Sequence, residues 1–113
     1  MGMQYLVADV GGTNTRVALA NEGVLQADSV HRYRNAAQSG VVEILQDYMR
    51  NHAPQARPSA VCIDVAGPVS KDQGHLTNLD WTVTSTQLCA ATGAQHGAII
   101  NDMQAQGMAL SHL

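Results

Sequence analysis

Two apolar runs, Tyr5–Val10 and Thr15–Ala20, stand only four residues apart, across Gly11-Gly12-Thr13-Asn14. That gap is too short for a crossover, so two strands joined by it must be antiparallel neighbours in a hairpin. The first run, Tyr5-Leu6-Val7-Ala8-Asp9-Val10, is almost continuously apolar and stops at the glycine pair, the pattern of a buried strand. The second alternates polar and apolar residues at its start. Asn21-Glu22-Gly23 is a further turn signal, and Val24 to Arg32 reads as a weaker third strand. The predicted opening is a three-stranded antiparallel meander.

The period changes from Ser39 onward. Val41, Leu45 and Tyr48 recur at i, i+4 and i+7, with Val42 and Met49 beside them, which predicts an amphipathic helix ending by Ala53-Pro54. Ser39 is its expected N-cap. Ala60–Val65 is the next buried strand, closed by Gly67-Pro68, and strand–helix–strand in this order implies a parallel pair with a right-handed crossover. Val69 to Val83 is polar and turn-rich, with Lys71–Gly74 as an expected turn and Trp81 as an apolar anchor. Thr84-x-x-Gln87 is a capping box for a short helix stopped by Gly93. Gly97–Ile100 reads as a short strand, and Asn101-x-x-Gln104 as the cap of a last helix.

With 113 residues the chain has room for one domain, and 45% apolar residues suffice for a core. The core must be aliphatic, since Trp 1, Tyr 3 and Phe 0 make up all the aromatic residues. A net charge of −3 with six basic residues speaks against a nucleic-acid or anionic-membrane surface. Cys62 and Cys89 form no CxxC pair and read as reduced, buried thiols. No apolar run reaches the roughly 18–20 residues of a membrane span, and no secretory leader pattern opens the chain, so the expected compartment is the cytoplasm.

The predicted order is β-β-β-α-β-α-β-α, an α/β fold with a mixed sheet and helices on both faces. A meander followed by two parallel crossovers is the layout of the ribonuclease-H-like fold, which serves actin, Hsp70-type ATPases, sugar kinases and several nucleases. Fold alone does not choose among them.

Chemistry points first to Asp9-Val10-Gly11-Gly12-Thr13-Asn14-Thr15-Arg16. Paired glycines let backbone N–H groups approach a phosphate, Thr13 and Asn14 add polar donors, and Arg16 adds a positive charge. Asp9, at a strand exit, suits Mg²⁺ held through its waters. An ordinary hairpin turn with a solvated arginine accounts for the same residues. Asn101-Asp102 follows a predicted strand at its carboxyl end, where open α/β sheets bind ligands, although Asn is also a favoured N-cap. Asp64 is a third carboxylate near a strand end. His31, His52, His75, His96 and His112 show no metal-ligand spacing, and neither a P-loop nor a Rossmann fingerprint occurs.

Taken together, four segments resemble the bacterial glucokinase family of hexokinase-like sugar kinases: Leu6–Arg16, Ala66-Gly67-Pro68-Val69, Leu76-Thr77-Asn78-Leu79-Asp80-Trp81 and Ile100–Ala105. They occur in the family's order from Leu6 to about Leu110. The resemblance implies that Asp9, Gly11, Gly12, Thr13, Asn14 and Arg16 form the first phosphate loop for ATP and Mg²⁺. It implies that Asn101 and Asp102 contact glucose, with Asp102 taking the proton from the 6-hydroxyl. Met103 stands where the family usually has Phe. Family members are longer, with a second lobe carrying further phosphate and sugar contacts, so residues 1–113 correspond to the small N-terminal lobe, expected to be inactive alone and to self-associate. A kinase of another hexose or amino sugar shares these motifs. A ribonuclease-H-like nuclease using Asp9, Asp64 and Asp102, or a non-catalytic binding module, remain competing readings.

Overall fold

The structure is a computed structural model and describes residues 3–66, 69–70, 73–76 and 81–101. β1 (Gln4–Val10) and β2 (Asn14–Asn21) make the expected hairpin, in register from Gln4 opposite Asn21 to Val10 opposite Thr15. The single third strand is corrected to two pieces, β3 (Val24–Leu25) and β4 (His31–Arg34), paired with opposite ends of β2. Ser29 makes the break. Its hydroxyl accepts the Leu19 N–H and donates to the Gln26 carbonyl, so a 3-10 turn at Ala27–Ser29 stands in for the ladder of a continuous strand.

α1 (Val41–Asn51) buries Val41, Ile44, Leu45 and Tyr48 along one face, as the spacing requires. Its N-cap is Gly40 rather than Ser39. Gly40 is extended, its carbonyl accepts the Ile44 N–H at 3.2 Å, and no side chain caps the end. β5 (Ala60–Val65) follows with the predicted bounds. The stretch expected to be turns instead contains a small antiparallel sheet of β6 (Val69–Ser70), β7 (Gln73–Leu76) and β8 (Trp81–Thr84). Gly74 explains the difference. It packs against the main sheet, where a Cβ would lie 2.9 Å from Ile99 Cγ2 and 3.3 Å from Val65 Cγ2. α2 (Ser85–Thr92) has the predicted capping box, with Gln87 N–H donating to Thr84 Oγ1 at 3.2 Å and Thr84 N–H to Gln87 Oε1 at 2.9 Å. Gly93 ends it in the left-handed region at φ 78°. β9 (His96–Asn101) closes the described chain, and the last predicted helix lies outside the described residues.

The main sheet is mixed, in the order β3-β2-β1-β5-β9 with β4 beside β2. β1, β5 and β9 are parallel, as predicted, and Val10, Val65 and Asn101 stand in register at their carboxyl ends. On one face Leu6, Val10, Val17, Val61, Ile63 and Val65 are wholly buried with Ile44, Leu45, Tyr48 and Leu88 from the helices. Burying each such side chain contributes about 1.5–3 kcal/mol. The two described helices pack on each other over that face. On the opposite face Val7, Cys62, Asp64 and Ile100 are half-buried and Ala98 is exposed. The expectation of helices on both faces therefore hangs on the last helix. Among the described residues no helix is long and apolar enough to cross a membrane.

Candidate functional site

At the carboxyl end of β1 the chain turns through Gly11–Asn14 and opens a surface pocket of about 370 Å³. Asp9, Gly11, Gly12, Thr13, Asn14 and Arg16 all line it, so the structure brings together every residue predicted for the phosphate loop. The turn is tight: Gly11 N–H donates to the Asn14 carbonyl at 2.9 Å, and a Cβ on Gly11 would sit 3.2 Å from that oxygen. Gly12 and Thr13 are exposed at the tip, where an anion would meet backbone rather than bulky side chains.

A residue that sequence analysis missed holds this turn. Asn35, 2% exposed, donates from Nδ2 to the Gly11 carbonyl at 2.8 Å and accepts the hydroxyl proton of buried Thr15 at 2.7 Å. Its own N–H donates to the Thr13 carbonyl at 2.9 Å. An amide side chain is suited to this position because it both donates and accepts. Three hydrogen bonds thus tie the loop to the segment after β4.

Charge is arranged in a cross-strand row. Asp9 faces Arg16 on β2, and Arg16 faces Arg32 on β4, all on the side of the sheet away from the helices. Arg16 Nη2 donates to Asp9 Oδ2 at 2.9 Å, with both side chains well exposed. Such a pair contributes little stability in water, so its arrangement matters more for what the pocket binds. Arg32 also lines the pocket. No motif in the sequence includes it; only the β2–β4 register could have revealed it, and the Ser29 turn conceals that register.

On the far side of Asp9, β5 places Asp64 next in the row. Of the two, Asp9 lines the pocket, and a single carboxylate there suits a hydrated Mg²⁺ that arrives with phosphates, since this ion keeps several waters and needs few protein ligands. A closed metal cage is not formed: among the described residues no group of three His, Cys, Asp or Glu side chains is placed to hold an ion. Asn101, expected from the resemblance to contact glucose, ends β9 two strands across from Val10. Strand spacing puts that about 10 Å away along the same edge. Asp102 lies outside the described residues.

The other candidates resolve differently. Cys62 and Cys89 are free and half-buried rather than buried. Burial, with Asp64's charge beside it, pushes the Cys62 thiol up and keeps it protonated. His31 stacks on His52 with ring centroids 3.8 Å apart and meets Tyr33 edge-on. Trp81 packs against the core, as an anchor should.

With this geometry in view, the comparisons with known proteins are specific. Residues 6–113 match the family model described as Glucokinase. The chain is 34% identical to a glucokinase of Tolumonas auensis, over 100% of this chain and 35% of the relative. It is 39% identical to a glucokinase of Stenotrophomonas maltophilia, over 96% of this chain and 32% of the relative. Among solved structures it superposes on glucokinase from an Antarctic psychrotroph with TM-score 0.74 and 30% identity, covering 88% of this chain and 32% of that one. The chain therefore spans about a third of the length of the relatives it matches.

Proposed function

Because this chain belongs to the glucokinase family, we propose that it supplies the N-terminal small lobe of a cytoplasmic, ATP-dependent kinase that phosphorylates glucose at the 6-hydroxyl. The observation that carries this is the common register of β1, β5 and β9, which sets the glycine loop and Asn101 at one edge of the sheet. Ligands of open α/β sheets bind at such an edge. The strand order β3-β2-β1-β5-β9 supports a ribonuclease-H-like lobe.

In this reading Asn101 hydrogen-bonds the sugar and Asp102 accepts the proton of its 6-hydroxyl. The new bond joins O6 to the γ-phosphorus as the bond to the β–γ bridging oxygen breaks, and ADP leaves. The transition state for phosphoryl transfer is loose, so positioning and charge neutralisation outweigh base strength. Gly12 and Thr13 offer the phosphates their backbone, Thr13 and Asn14 their side chains, and Arg16 a fixed cation. Asp9 would hold Mg²⁺ through its waters, and the ion when bound would neutralise charge on the transferring phosphoryl group. The remaining phosphate and sugar contacts belong to a second lobe, so the 113 residues alone do not turn over glucose.

The test joins residues 1–113 to the remaining two-thirds of the Tolumonas auensis glucokinase and follows glucose-dependent ADP release. The expected result is an active chimaera in which Asp102→Ala lowers kcat by at least about 100-fold, with a much smaller change in glucose KM. A chimaera that folds, by its circular dichroism, yet releases no ADP contradicts the kinase assignment. Unchanged kcat in Asp102→Ala removes that residue from the base role.

A further inference from the structure

Arg32 forms part of the pocket wall, yet it lies in none of the four motif segments quoted from the sequence. Register sets it directly opposite Arg16, which is itself opposite Asp9. The row therefore runs Asp64, Asp9, Arg16, Arg32, with the two guanidinium groups adjacent at one end. Asp9 is engaged by Arg16 at 2.9 Å, and among the described residues Arg32 is exposed and in no ion pair. Like charges directly opposite on adjacent strands repel and destabilise a sheet. A chain of net charge −3 nevertheless places two of its six basic residues in that arrangement, beside an exposed glycine turn. An arrangement unfavourable for the empty protein becomes favourable once an anion lies between the two cations.

We infer that Arg32 is a second cationic ligand of the pocket, gripping the phosphate chain of the donor together with Arg16. The site then favours a polyphosphate tail over a single phosphate group. This deepens the assignment of the glycine turn as a phosphate loop and rests on it.

The experiment titrates the 113-residue chain with inorganic tripolyphosphate by calorimetry at low salt. Wild type is compared with Arg32→Gln and with Arg50→Gln, which removes one charge from the exposed side of α1. Arg32→Gln is expected to weaken binding about tenfold and to flatten its salt dependence, while Arg50→Gln changes it less than about twofold. Without ligand, Arg32→Gln should melt at or above the wild-type temperature, because a repulsion has been removed. Binding by Arg32→Gln as tight as wild type overturns the role of Arg32 and leaves the phosphate loop standing. Equal weakening in Arg50→Gln, or a lower melting temperature for Arg32→Gln, also overturns it. Failure of wild type to bind tripolyphosphate overturns both the loop assignment and this inference.

Discussion

Asn35 shows how one buried amide governs an exposed loop. Removing it strands the Thr15 hydroxyl and the Gly11 carbonyl, both of which it satisfies at 2.7–2.8 Å. Asn35→Ala should therefore destabilise the chain by about 2–3 kcal/mol in urea unfolding, the scale of losing partners for buried polar groups. Asn35→Asp keeps an acceptor for Thr15 but sets a carboxylate oxygen against the Gly11 carbonyl, so it should not restore stability. Full stability in both variants would show that the turn holds itself. Nothing local in Asn35-Ala36-Ala37 announced this role, because its partners lie 20 and 24 residues earlier in the chain. By contrast, the grouping of the loop residues around one pocket was legible, since the paired glycines stand beside Thr, Asn and Arg in a single short hairpin.

At the scale of elements, the bond from the Tyr33 hydroxyl to Asp47 Oδ2, 2.7 Å, ties β4 to α1. That bond above all holds the Asp47 carboxyl below its usual value, against its partial burial and with help from Asn51, His52 and Arg50. Because the folded state favours the carboxylate, the tie stabilises above the ordinary carboxylate range near 4 and is lost as pH falls through the lowered folded value. Tyr33→Phe should accordingly be less stable than wild type at pH 7, with the gap closing as pH falls below the ordinary carboxylate range and through the lowered folded value. A gap independent of pH would remove Asp47 from the account. Elements with local signals were predicted well: Thr84 and Gln87 marked the start of α2, Gly93 its end, and the apolar run 60–65 a buried strand. Elements defined by distant partners were not. Gly74 looked like a turn residue because nothing in its neighbourhood reveals that Ile99 and Val65 press against it, and the third strand looked continuous because Ser29's bonds to Leu19 are long-range.

For the whole molecule, everything depends on whether the phosphate loop and the carboxylate after Asn101 serve one crevice. Parallel register puts Val10, Val65 and Asn101 at the same end, while Gln4, Ala60 and His96 mark the other, about 20 Å away along strands of six or seven residues. The half-buried residues on the second face of the sheet and the match to about a third of each relative support the proposal of a small lobe. The direct measurement is paramagnetic broadening of backbone amide signals by Mn²⁺-tripolyphosphate bound to the isotopically labelled chain. The account predicts strong, matched broadening at Gly12, Thr13, Asn101 and Asp102, with Ala60 and His96 little affected. Broadening of Gly12 and Thr13 while Asp102 stays as sharp as His96 would contradict it.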